Sequence, residues 1–292
     1  LYEEEGLAML KTHYYGGVKK YQWVTLPLAL HGVVINKNGE KIDVVIGEDE
    51  NDPVFFITDL LPHLAKDQMT KTMSEGITGE GLNVLIGSIP FNDDEVTGKV
   101  KLNVLKILND KYGITEEDFT TAEFEVVPAG KSRDVGIDRS MVGGYGQDDR
   151  VCAFTSLKAI LDVELPNKTA VALFVDKEEI GSVGNTSMES KFFENVVSEL
   201  VNLTEENYSE LIVKRAMSNS QVLSADTLGG FDPNYPEVLD KKNSPYIGKG
   251  LVMVKYTGSR GKGGSNDANS EYIAKIRKIF NDNNVVWQMG EL

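Results

Sequence analysis

Three short acidic segments carry the residues best suited to chemistry. Gly146-Gln147-Asp148-Asp149-Arg150 follows a glycine-rich turn, Asp176-Lys177-Glu178-Glu179 follows an apolar run, and Ser224-Ala225-Asp226 follows a shorter one. Taken singly, each has a plain structural reading. Asp148-Asp149 reads as an N-terminal helix cap, Glu178-Glu179 as a solvated strand-end pair, and Asp226 as a turn residue. Taken together they point to a cation, because carboxylates gathered out of water need a counter-charge or hydrogen-bond donors. The chemistry that suits them is metal-assisted hydrolysis. A dinuclear centre needs one ligand bridging ions about 3.5–4 Å apart, with a terminal carboxylate for each. It also needs an unligated base to take a proton from water. Adjacent residues on an extended strand end point in opposite directions, so Glu178 and Glu179 can divide those jobs.

The elements that must hold these segments read as an α/β unit from about residue 136 onward. Val151, Phe154, Leu157 and Leu161 recur at helical spacing after Asp149. Thr169-Ala-Val-Ala-Leu-Phe-Val175 is a continuous apolar run, as expected of a strand covered on both faces. Phe192, Phe193, Val196, Val197 and Leu200 form a second helical face. Gln221-Val-Leu-Ser224 and Leu251-Val-Met-Val-Lys-Tyr256 read as strands, and Tyr272, Ile273, Ile276, Ile279 and Phe280 as a third helix. In open α/β sheets ligands sit at the carboxyl ends of strands, where the three acidic segments fall. Upstream, residues 21–135 read as a strand-rich unit. His31–Asn36 and Lys41–Ile46 flank an Asn38-Gly39 hairpin turn. A helix around Val104, Leu105 and Leu108 stops at Gly113, and Glu123–Val127 alternates as a strand that Pro128 ends. Glu48-Asp-Glu-Asn-Asp52 reads as a solvated loop.

Composition excludes several classes of partner. The 292 residues carry 30 basic and 45 acidic side chains, a formal charge of −15, which repels nucleic acid and anionic lipid. One cysteine makes no internal disulfide and no cysteine-rich zinc module. No run of about 18 apolar residues predicts a membrane span. No signal peptide is read at Leu1-Tyr2-Glu3, so a cytoplasmic setting is expected. The length suggests two domains at about 150 residues each.

The same segments carry a family resemblance. Gly144-Tyr-Gly-Gln-Asp-Asp-Arg-Val-Cys152, Val175-Asp-Lys-Glu-Glu-Ile-Gly-Ser-Val-Gly-Asn-Thr186 and Leu223-Ser-Ala-Asp226 closely resemble the aspartyl aminopeptidase / aminopeptidase I family of zinc peptidases. So do Thr12-His-Tyr-Tyr-Gly-Gly17 and Asp232-Pro-Asn-Tyr-Pro-Glu-Val238, and the likeness runs through essentially the whole chain. The resemblance implies a zinc-peptidase α/β/α sandwich, residues 1–20 and 136–292, interrupted by a strand-rich dimerisation domain at 21–135. It implies an aminopeptidase with two zinc ions: Asp148 bridging, Asp149 orienting it across an unusual peptide bond, Glu179 on one zinc, Asp226 on the other, and Glu178 as general base. It implies peptide substrates and self-association into a large homo-oligomer, a tetrahedral dodecamer. It also implies two metal histidines outside these 292 residues, one in a His-x-Asp-Ser-Pro-like segment upstream and one in a Met-His-Ser-like segment downstream. Both ends of the catalytic domain are therefore expected to be incomplete.

The histidines present are His13, His31 and His63. By the resemblance His63, in Leu60-Leu-Pro-His-Leu-Ala65, reaches the active site of a neighbouring subunit and stabilises the oxyanion or substrate. His13 reads as structural and His31 as a packed or capping residue. Gly258-Ser-Arg-Gly-Lys-Gly-Gly-Ser265 departs from the phosphate-loop pattern, since Tyr256 stands where the first glycine belongs and Gly263 follows Lys262. Within the family this loop approaches the substrate pocket, so Arg260 and Lys262 are candidates to meet an acidic substrate side chain. Cys152 reads as a small core residue. Two competing functions remain at this level. One is a non-catalytic assembly or binding subunit lacking a complete metal site. The other is a magnesium-dependent nucleotide enzyme, which the missing phosphate loop and the charge oppose. Preference for acidic or neutral hydrophobic N-terminal residues is left open.

Overall fold

The computed structural model describes residues 1–14, 16–259 and 263–291. The fold is α/β, and the chain forms two compact units: Leu1–Gln147 with Leu173–Ser220, and Asp148–Ala172 with Gln221–Leu292. The helices of two turns or more are α1 (Lys99–Tyr112), α2 (Gln147–Leu161), α3 (Phe192–Thr204), α4 (Glu210–Ser218) and α5 (Ser270–Asp282).

The first unit is built on two antiparallel sheets. One runs in the order β1 (Tyr2–Glu4), β2 (Leu7–Leu10), β5 (Val84–Gly87). The other places β3 (Leu28–Ile35) between β4 (Lys41–Ile46) and β6 (Glu123–Pro128). The β3–β4 hairpin closes on Asn36, whose carbonyl accepts from Gly39 N–H and whose side-chain oxygen accepts from Asn38 and Glu40 N–H. Two apolar clusters share β3. Leu28 packs with Val24, Ile57, Leu82 and Val84, while Val34 packs with Val44, Ile46 and Ile114. Helix α1 lies against β2 and β5. Its N-cap, Gly98, has no side chain, and the Glu3 carboxylate instead accepts from Lys101 N–H at 2.9 Å. Gly113 ends the helix in a left-handed turn, φ 71°.

Two acidic features of this unit are structural. Asp118 is buried and accepts from Thr115 N–H (2.8 Å), Thr115 hydroxyl (2.7 Å) and Lys37 N–H (3.1 Å). The Thr115 hydrogen bonds hold its carboxyl below the ordinary value. Residues 48–51 of the Glu48–Asp52 loop are exposed, as read, and Asp52 is half-buried; the loop is paired within the unit: Glu48 with His31, Glu50 with Lys131, and Asp52 with Lys111. His31 is thus an ion-pair partner of a loop acid. A short hairpin of β7 (Arg133–Val135) and β8 (Met141–Gly143) follows β6, and helices α3 and α4 pack on each other.

The second unit contains a parallel pair, β9 (Leu251–Val254) and β12 (Trp287–Gly290), linked through α5. The Asn269 side chain caps α5 by accepting from Tyr272 N–H at 2.8 Å. Between β9 and α5 stands a hairpin of β10 (Tyr256–Ser259) and β11 (Gly263–Asp267).

Two strand expectations are corrected. Thr169–Val175 and Gln221–Ser224 form no ladder among the described residues, and Phe174 and Leu223 are exposed. An apolar run reports a preference for burial, whereas a strand exists only where a second backbone lines up to share hydrogen bonds. The apolar face of α2 forms as a helix face but is open, with Phe154 62% and Leu161 69% exposed.

Candidate metal centre

The second unit brings Asp148, Asp149 and Asp226 together. One carboxylate oxygen from each lies within 4.8 Å of the other two. Asp148 and Asp149 open α2 but are not helical themselves, with ψ of 108° and 30°, and the peptide between them is cis. Asp226 follows the Gln221–Ala225 stretch, which forms no ladder among the described residues. Its Oδ1 accepts from the Thr227 N–H at 2.7 Å. Burial, and then the Asp148 and Asp149 charges, push the Asp226 carboxyl above its ordinary value; only the Thr227 hydrogen bond opposes them.

One atom argues that this cluster takes a cation. Asp149 Oδ1 is buried and has no hydrogen-bond partner among the described residues. An acceptor stripped of water and given no donor costs free energy, which a bound cation removes. Carboxylate oxygens suit zinc, and they suit magnesium or calcium as well. Geometry therefore supports a divalent ion without choosing among them.

Cys152 is a member of this neighbourhood that the sequence placed in the core. Burial first, then the Asp149, Asp226 and Asp148 carboxylates, push its thiol up to about 12. In the metal-free chain it stays protonated at neutral pH. The signal was available, because residue 152 stands one helical turn beyond Asp149.

Glu178 and Glu179 belong to the first unit. They sit on a single 3-10 turn, Glu178–Ile180, preceded by Lys177 in a left-handed conformation, φ 63°. Gly181 N–H donates to the Glu178 carbonyl at 2.8 Å and Ser182 N–H to the Lys177 carbonyl at 2.9 Å. Asp176 anchors the loop: its N–H donates to the Thr186 carbonyl, and its carboxylate accepts from the Thr186 hydroxyl at 3.3 Å. Both glutamates are exposed. His63 is exposed in the turn at residues 62–64 of the first unit, where Leu61 and Leu64 are exposed beside it and Ala65 is buried beneath. Arg260 and Lys262 lie outside the described residues.

Comparison with known proteins gives one answer over the whole length. A family model described as aminopeptidase I zinc metalloprotease (M18) matches residues 2–292. The chain is 59% identical over 292 residues to the probable M18 family aminopeptidase 1 of Clostridium acetobutylicum, covering 100% of this chain and 63% of that protein. The crystal structure of an M18-family aminopeptidase from Thermotoga maritima superposes with a TM-score of 0.93 at 46% identity, over 99% of this chain and 64% of that one. That of aminopeptidase I from Clostridium acetobutylicum gives 0.91 at 55% identity, over 100% and 62%. The chain thus spans a little under two thirds of the length of these relatives.

Proposed function

The chain belongs to the aminopeptidase I zinc metalloprotease family, M18, and from that premise we propose that it carries carboxylates of a zinc aminopeptidase that removes the N-terminal residue of peptides. The observation that supports this is the convergence of Asp148, Asp149 and Asp226, with a buried Asp149 oxygen that has no hydrogen-bond partner among the described residues. On this reading Asp148 would be the shared zinc ligand, Glu179 and Asp226 would be the terminal carboxylate ligands, and Asp149 would orient Asp148. Zinc in such a site supplies a Lewis acid that polarises a carbonyl and acidifies water. Glu178 is the base. Its carboxylate takes the proton of the attacking water and hands it to the departing amine nitrogen, so the leaving group departs neutral. Arg260 and Lys262, outside the described residues, are the candidates to meet an acidic substrate side chain.

Residues 21–135 are the dimerisation domain on this reading, and His63 acts in the active site of a neighbouring copy within a twelve-subunit assembly. The exposed leucines on either side of His63 support a buried role for that turn in an assembly. No described helix is long and apolar enough to cross a membrane.

The test uses the full-length protein with zinc. It is expected to release the first residue of Leu-, Asp- or Glu-terminated peptides, and Glu178→Gln to lower turnover by about 10²–10⁴-fold with zinc content unchanged. Near-normal turnover in Glu178→Gln removes the base assignment. A zinc-free protein that assembles but hydrolyses no peptide, even with zinc supplied, supports the non-catalytic subunit instead.

A further inference from the structure

The turn that carries Glu178 and Glu179 is flanked by strained backbone. Lys177 and Ser182 both adopt left-handed conformations, φ 63° and 57°. L-residues hold such angles only where their surroundings impose them. Two backbone hydrogen bonds close the loop, Asp176 N–H to the Thr186 carbonyl and Glu189 N–H to the Ser182 carbonyl tie its flanks, and both glutamates are exposed. A further support lies outside the loop.

That support comes from the same unit. Gly16, in a left-handed conformation with φ 77°, lies against the turn: a Cβ built on it falls 3.4 Å from Ile180 Cγ2 and 3.6 Å from the Glu179 carbonyl oxygen. The chain then runs into a single 3-10 turn, Lys20–Gln22, closed by Trp23 N–H to the Lys20 carbonyl at 3.1 Å. Trp23 packs on the Val24, Leu28, Ile57, Leu82 and Val84 cluster. Its ring also meets Tyr145 edge-on, centroids 6.3 Å apart, in the glycine-flanked turn before Asp148. Upstream, the Thr12 hydroxyl donates to the Leu82 carbonyl, on the same cluster.

We infer that residues 16–23 are a brace through which the apolar core of the first unit positions the Glu178–Ile180 turn, with Gly16 as the positioning residue at the contact. The inference rests on the reading of Glu178 and Glu179 as base and ligand. Glycine is required at position 16 for two reasons. Its φ is one that a β-branched residue avoids. A Cβ there already reaches van der Waals contact with Ile180 and the Glu179 carbonyl, so the γ-carbons of such a residue add bulk at the contact.

Hydrogen exchange on the metal-free full-length protein reads the turn directly. Gly16→Val is expected to speed exchange of the Gly181 and Ser182 amides by about tenfold or more, with the β3 amides at wild-type rates. Ile180→Ala removes the contact from the opposite side and is expected to do the same. In the zinc-loaded protein Gly16→Val is expected to lower kcat by about tenfold with KM within about twofold, since misplaced carboxylates spoil chemistry and not peptide capture. Unchanged Gly181 and Ser182 exchange in both variants overturns the inference. Where Gly16→Val loosens β3 as well, Ile180→Ala decides alone. A wild-type protein with no peptidase activity overturns the proposed function instead, and the exchange result still decides whether the brace exists.

Discussion

Replacing Asp226 by asparagine separates a metal site from a merely acidic surface, because the two make opposite demands on the same residue. In the metal-free chain Asp226 stands within 4.8 Å of two other carboxylates. Two unit charges at that distance repel by about 1 kcal/mol in bulk water and about 3–4 kcal/mol at an effective dielectric of 20. Asp148 and Asp226 are exposed, so the lower figure applies after screening. Asp226→Asn keeps an oxygen to accept from Thr227 N–H and removes two repulsions. It is therefore expected to stabilise the metal-free protein by about 1–2 kcal/mol at pH 7, or about 2–4 °C in Tm for each kcal/mol. The sign follows from the raised pKa of Asp226. A carboxyl that protonates more easily folded than unfolded costs stability once pH exceeds its unfolded value, 3.8 here. The advantage of the variant should thus fade as pH falls toward that value. Zinc reverses the ranking. At about 100 times its dissociation constant a ligand bound only by the folded state adds about 2.7 kcal/mol, and the variant should lose most of that gain. Thermal unfolding with and without zinc, at pH 7 and pH 4, measures all four states. A metal-free Asp226→Asn protein that is no more stable than wild type refutes the electrostatic argument, and equal zinc stabilisation of both proteins refutes the ligand assignment.

Three further outcomes follow from the first unit. Asp118, with its lowered carboxyl pKa, contributes stability that is present above pH 3.8 and is lost as pH falls through its folded value; acid unfolding should be shallower in Asp118→Asn than in wild type, and parallel acid limbs would count against this role. Leu28→Ala, at a fully buried position, should cost about 2–5 kcal/mol in urea unfolding, and a loss below about 1 kcal/mol would show that the cluster around Leu28 is not part of the core. Leu61→Asp with Leu64→Asp, on the exposed turn beside His63, should leave Tm within about 2 °C while reducing the mass of the full-length assembly by light scattering; an unchanged mass would place the turn outside any interface.

Local chemistry made much of the first unit legible. Asn38-Gly39 between alternating runs specifies the β3–β4 hairpin, Gly113 ends α1, and Pro128 ends β6, each through the backbone preferences of one or two residues. The acidic segments were legible as candidates because residue type and family resemblance are both properties of the chain itself. Thr169–Val175 was misread, since an apolar run specifies burial while pairing depends on a partner backbone that the run does not contain.

The sequence by itself determined the family, the α/β class and the identities of Asp148, Glu178, Glu179 and Asp226, because composition, motif and turn chemistry are local or inherited whole. Tertiary structure alone decided which of them meet. It set Asp226 against Asp148 and Asp149, left one buried oxygen of Asp149 without a donor among the described residues, and turned Cys152 toward the same carboxylates. It also laid Gly16 on the Glu178–Ile180 turn. Each of these contacts joins residues through the packing of elements, and the electrostatic cost that makes a cation welcome exists only once charges distant along the chain share a few ångströms.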